Sequence, residues 1–396
     1  MSRKAMEIDL YNLYLGPARP EENLCHGQIG PFEIRLVDNY EEVAKQVYRP
    51  AFTNLSFHWT ALDPQPPGLD PSMVAGNAVQ KVTNFDAVLG MWVVTAKAIA
   101  NEPLTEKSVL ARSPADDGGI WDLCELLRFL TGRRVLTADL LDRFDPNRAG
   151  ELACLPQEVF LAANLAWGHR NQFADQGFVY ALLSYDWAIE TKLLQPMAAQ
   201  YNTALNVIID KWPLPKKPKV PPKIREALAK TVDLAVTSCE GLSDEQRLGY
   251  SALLRAKVMD GPYSLLDRLV LLLRDLDILR PQDGEPVLTR VKYLNTVRNR
   301  LTHSGEMPLL KGMTSEQSDR YTVNIVSGVL QELNQLALGR LLGLTPGGVG
   351  AYSQNISDLR RFFVEGIWRN YPIELMDFRD WIENPFSIGV SREEEG

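Results

Sequence analysis

Val291-Lys292-Tyr293-Leu294-Asn295-Thr296-Val297-Arg298-Asn299-Arg300-Leu301-Thr302-His303 reads as one amphipathic helix, stopped by Gly305. Val291, Leu294, Val297 and Leu301 recur at spacings of three, three and four, a single stripe at about 100° per residue. Asn295, Asn299 and His303 are each four apart and fall on the opposite side. The stripe is expected to pack into the chain's own core, leaving Asn299 and His303 pointing outward. Arg298 sits at the flank of the stripe and reaches the same spot only through its long side chain. Two accounts of this end are open. Basic residues in a last helical turn complement the helix dipole, and Gly just beyond is the common stop. The same residue types also suit chemistry on a phosphate. An imidazole exchanges protons near neutral pH, and a guanidinium offers a fork of donors to phosphate oxygens.

The Arg298-Asn299-x-x-x-His303 spacing resembles the Arg-Asn-x-x-x-His signature of HEPN-superfamily ribonucleases. In that family the motif closes a late helix of a bundle, after a long apolar helix. Here Tyr263 to Leu279 precedes it, with Leu265, Leu266, Leu269, Val270, Leu272 and Leu273. The resemblance covers about residues 155 to 345, and its specific part is the six residues of the motif. It implies a metal-independent endoribonuclease that uses no cofactor. His303 would act as acid and base, Arg298 as phosphate clamp and Asn299 as the orienting residue. It also implies a homodimer in which two motif helices face each other and two Arg/His sets line one cleft. Some HEPN domains lack activity, so the competing expectation is a non-catalytic dimerisation or interaction module. A metal-dependent nuclease is a third class. A β-rich N-terminal region followed by a HEPN-like domain is similar to abortive-infection proteins. That implies a toxin or antiphage-defence effector, with a phage-derived or regulatory trigger acting on the N-terminal domain.

The remaining chain sets bounds. Its 396 residues are enough for two domains, and 45% apolar with 23% charged is ordinary for a soluble protein. The longest apolar run, near Leu269 to Leu273, is too short to span a bilayer, so no membrane partner is expected. Met1 to Leu10 carries Arg3, Lys4, Glu7 and Asp9 and lacks the apolar core of a signal peptide. Cys25, Cys124, Cys154 and Cys239 are widely separated and read as free thiols in a reducing cytosol. With histidines only at 26, 58, 169 and 303, no metal site is expected.

A net charge of −8 does not favour broad nucleic-acid binding, but local charge decides. Lys211, Lys216, Lys217, Lys219, Lys223 and Arg225 lie together with no acid between them, among five prolines. The prolines argue for an extended loop. As a functional segment it would hold an RNA backbone, with Trp212 stacking on a base. As a plain linker it would only join helices.

The fold class expected is α+β. Residues 1–150 form a mixed, mostly β domain that senses or recruits. Residues 151–345 form an all-α HEPN-like bundle, and 346–396 a C-terminal helix and tail. Phe32, Ile34 and Leu36 alternate as a half-buried strand, as do Leu55, Phe57 and Trp59. Val88 to Ala100 is a buried strand or a short helix. Trp121 to Leu130 is helical, with Gly132 as its stop. Pro196 kinks or divides the segment Phe178 to Ile209. Further helices are expected over Ile224 to Val236, Asp244 to Met259, Tyr263 to Leu279, Leu288 to Ser304, Ser315 to Leu342 and Ile356 to Tyr371. His169-Arg170-Asn171 reads as an exposed turn at a helix end. Asp275 and Asp277 point about 200° apart on a helix and read as salt-bridging surface charges. No Gly-x-x-x-x-Gly-Lys, His-Glu-x-x-His or Gly-x-Ser-x-Gly pattern occurs.

Overall fold

The computed structural model describes residues 6–11, 13, 26–40, 85–86, 91–92, 94–100, 106–111, 118–132, 134–139, 156–191, 194–215, 221–259, 263–283, 285–303, 315–344, 356–368 and 371–372. The expected strand at Leu55 to Trp59, the domain boundary near 145–150, the 346–350 loop and the charged tail lie outside these residues.

An α+β architecture emerges, with the strands early and the helices late. Strands β1 (Met6–Tyr11), β2 (His26–Ile29), β3 (Phe32–Leu36) and β6 (Val94–Ala100) form an antiparallel sheet in the order β1-β6-β3-β2. Short strands β4 (Phe85–Asp86) and β5 (Met91–Trp92) pair separately. Phe32, Ile34 and Leu36 are buried and Arg35 is exposed, as the alternation requires. Across from them on β6 stand Ala100, Ala98 and Ala96, so large side chains of β3 face small ones. The ambiguous Val88 to Ala100 stretch is therefore strand where the structure describes it.

Helix α1 (Ile120–Thr131) ends at Gly132, whose φ of 65° is the left-handed value a C-terminal glycine supplies. Helix α2 (Pro156–Asp175) crosses the β2–β3 hairpin. Phe160, Asn164 and Trp167 line its inner face at spacings of four and three. Gly30, at φ 54°, opens the two-residue hairpin loop in the conformation primed turns need. A Cβ there would come within 2.2 Å of the Trp167 indole, and the Gly30 N–H donates to Asn164 Oδ1 at 3.0 Å. One apolar core runs continuously from Leu10 on β1 to Trp368 near the C-terminal end.

The helices continue as α3 (Val179–Glu190), α4 (Leu194–Lys211), α5 (Pro222–Thr237), α6 (Asp244–Met259), α7 (Leu265–Asp275), α8 (Glu285–His303) and α9 (Ser315–Leu341). Pro196 does divide the long segment, and it sits in the first turn of α4, where a missing N–H costs nothing. Helix α9 packs along α4, and Asn334 Nδ2 donates 2.8 Å to the Tyr201 carbonyl.

Three expectations change. His169, Arg170 and Asn171 stand inside α2 and not in a turn, because buried Arg170 finds partners on α1 and the preceding loop. The last helix does not reach Tyr371. It runs 356–360, widens into a π-helical segment at Arg361–Glu365 and stops at Gly366, φ 74°. A two-strand ladder, β7 (Ile367–Trp368) with β8 (Tyr371–Pro372), follows. The Lys211-to-Arg225 segment is helical at both ends where described. Lys211 closes α4, and Pro222 opens α5, so Lys223 and Arg225 lie in a first helical turn.

Candidate active site

The approach to α8 is built by short local interactions. Ser264 and Asp267 form a reciprocal capping box at the start of α7. Asp277 leaves α7 at φ 59°, a left-handed conformation that aspartate tolerates better than most residues. Ile278 and Leu279, just beyond, turn back into the core. Asp283 then fixes the entry to α8. It accepts from the Arg280 N–H at 2.6 Å and takes both arms of the Arg360 guanidinium at 3.2 Å. The Arg280 N–H, with Arg360 beside it, holds the Asp283 carboxyl below the usual carboxylate range.

Within α8, Val287, Val291, Leu294 and Val297 are buried against α4, α7 and the π-helical segment. Arg290 shares that side and donates 2.8 Å to the carbonyls of both Phe363 and Val364. Those are end-of-helix carbonyls lacking helical partners, which a cation satisfies well. Burial pushes the Arg290 guanidinium below its ordinary pKa. Gly366 leaves the room: a Cβ there would lie 2.8 Å from Arg290 Nη2.

The other side of α8 is polar. Lys292, Asn295, Thr296 and Asn299 are half-buried, and the Thr296 hydroxyl donates to its own helix at Lys292 O, 2.9 Å. The stripe is thus seen at Val291, Leu294 and Val297, opposite Asn295 and Asn299. The helical backbone runs on through Arg298 to His303. It places His303 one turn beyond Asn299, about 6 Å further along the axis, and Arg298 about 7.5 Å back from His303. The side chains of Arg298, Leu301 and His303 lie outside the described residues.

The proposed RNA-holding residues are not all brought together. Lys211, Lys223 and Arg225 are exposed, and Lys216, Lys217 and Lys219 lie outside the described residues. Trp212 is only 6% exposed, and its indole N–H donates to Asp275 Oδ2 at 2.9 Å. Its ring belongs to the core and is not presented to a base. Asp275 accordingly accepts an indole hydrogen bond in place of the expected surface ion pair.

Two polar clusters went unseen in the sequence. Asp122 on α1 is fully buried and accepts the N–H groups of Val109 and Leu110 at 3.0 and 2.7 Å. Arg170 Nε lies 3.3 Å from it, another arm pairs with Glu106, and the guanidinium stacks 3.8 Å over the Trp167 ring. Burial raises the Asp122 carboxyl above its ordinary pKa, against the opposing pull of those N–H groups and Arg170. The second cluster is Glu332, Asn334 and Gln335, buried on α9. Polar residues interrupting an otherwise apolar helix, Val329 to Leu342, were its one sequence signal.

Among the described residues no group of three His, Cys, Asp or Glu side chains is placed to hold a metal ion. None of the described helices is long and apolar enough to cross a membrane. Comparison of the chain with protein-family models, with curated proteins and with solved structures returns no match.

Proposed function

We propose that the chain is a HEPN-type endoribonuclease that cuts RNA without a metal, acting as a homodimer in toxin-like or antiphage defence. The observation that carries the reading is the division of α8. Its buried stripe fixes the helix to the body, while the half-buried Asn299 leads the opposite face toward its end at His303. On this reading the end of that helix, with Arg298, Asn299 and His303 in its last two turns, meets a second copy or substrate.

The chemistry balances with these residues alone. The RNA 2′-hydroxyl gives its proton to one His303 imidazole and its oxygen bonds to phosphorus. The bond from phosphorus to the 5′-oxygen breaks, and the His303 of the other copy protonates the leaving oxygen. Arg298 balances the charge that builds on the phosphate oxygens. Asn299, a turn before His303, orients the imidazole. The N-terminal sheet region takes the triggering role in this account. Basic residues Lys211, Lys223 and Arg225 are left as backbone contacts, without Trp212 as a stacking platform.

The competing reading, an interaction module without catalysis, is favoured by one observation, the exposed helical hairpin α5–α6 described below. RNA incubated with the purified protein in EDTA separates the two. The enzyme reading expects cleavage by the wild type and a loss of at least 100-fold in His303→Ala and Arg298→Ala, the usual scale of acid–base catalysis. Cleavage that stops in chelator, or that His303→Ala retains in full, overturns it.

A further inference from the structure

Helices α5 and α6 pack chiefly on each other and stand apart from the core; among their described side chains only Val236 is buried. Leu228, Ala229, Val232 and Val236 form the inner side of α5. Arg255 Nε donates 3.0 Å to Asp233 Oδ1, and Arg247 reaches the Cys239 carbonyl, which ties the pair together. The opposite side of α5 is unusual. Ile224, Ala227, Thr231, Leu234 and Ser238 recur at three, four, three and four residues and are all exposed, Leu234 by 72%. That is the spacing of a helix–helix seam and not of a solvated surface. It contains no charge. Its hydroxyls are already spent, since Thr231 donates to Ala227 O at 3.0 Å and Ser238 to Ala235 O at 2.9 Å. Small residues at 227 and 231 allow a partner helix to approach closely. On α6, Leu248 and Leu253 add further exposed apolar surface, 78% and 57%. A patch of this kind marks an interaction site.

We propose that this seam binds the same seam of a second copy, antiparallel, across a two-fold axis at Thr231. The register is self-complementary. Centring on Thr231 sets Ile224 opposite Ser238, a large residue against a small one, and Ala227 opposite Ala235, while Leu234 meets Leu228 at the edge of the seam. Charge selects the same orientation. The open end of the hairpin carries exposed Lys223, and the tip carries exposed Glu240, Asp244 and Glu245. Antiparallel pairing brings Lys223 of each copy beside the acidic tip of the other, and a parallel pair would set like ends together. This surface is separate from the polar face of α8 and stands whether or not that face carries catalysis.

The test is the solution mass of the full chain by light scattering. Leu234→Glu is expected to halve the mass of the assembly while leaving the helical circular dichroism unchanged. A wild type that is monomeric, or a folded Leu234→Glu of unchanged mass, overturns the proposal. Orientation is read by mild oxidation in a Cys239→Ser background. Thr231→Cys is expected to give a disulfide-linked dimer and Ile224→Cys none. No cross-link at 231, or one at 224, overturns the antiparallel seam.

Discussion

Arg170 shows what a single side chain decides in this protein. It lies in a run of His169, Arg170 and Asn171 that resembles a surface turn in sequence, yet it is buried. Its burial is tolerable because Asp122 and Glu106 neutralise it, and Trp167 covers its face. Neither partner is near it in the chain, so no local pattern betrays the pairing. The side chain joins α1, α2 and the 106–110 loop, and its loss takes away the cation that faces the buried Asp122 carboxyl. Arg170→Ala is expected to destabilise the protein by about 3–5 kcal/mol, the cost of breaking one half of a buried pair. Urea unfolding checks this. Trp212 teaches a related lesson. Among prolines and lysines it reads as an exposed aromatic, but its indole N–H has a core-side acceptor in Asp275, and the ring is buried.

At the level of elements, period was a good guide and termini were not. Helices α1, α5, α6, α8 and α9 fall where three- and four-residue apolar spacing placed them, within a few residues. Strand β3 followed from alternation. The last helix was overextended because Trp368 and Tyr371 continue an apolar spacing past Gly366, which is the true stop at φ 74°. That stop depends on Arg290 satisfying the carbonyls of Phe363 and Val364, a contact from another element. The α7–α8 connection has a similar long-range tie in Asp283 and Arg360. It makes a pH-dependent contribution whose sign is set by the depressed carboxyl of Asp283. The stabilisation is complete above the unfolded carboxylate pKa of about 3.9 and disappears as pH falls through the lower folded value. Asp283→Asn is therefore expected to unfold more readily than wild type at pH 7. The gap between the two should narrow as pH falls below about 4 and close as the wild-type carboxyl protonates at its lowered folded value. Denaturant titrations of both proteins across pH 3 to 7 read this out, and a gap that widens in acid would contradict it.

For the molecule as a whole, the α+β organisation was legible because strand alternation and helical period occupy different parts of the chain. The face of α8 bearing Asn299 was legible too, since Val291, Leu294 and Val297 are buried as the stripe required. What surrounds that face was not. The clamp on α8 comes from the π-helical segment, and the exposed hairpin α5–α6 stands out only once its lack of core packing is seen. The central claim is that the end of α8 cuts RNA through its own 2′-hydroxyl. The ends of the RNA products test it most directly, by mass spectrometry of a short defined RNA cut in EDTA. The account predicts a 2′,3′-cyclic phosphate on one fragment and a 5′-hydroxyl on the other. Fragments with 5′-phosphate and 3′-hydroxyl ends would contradict it.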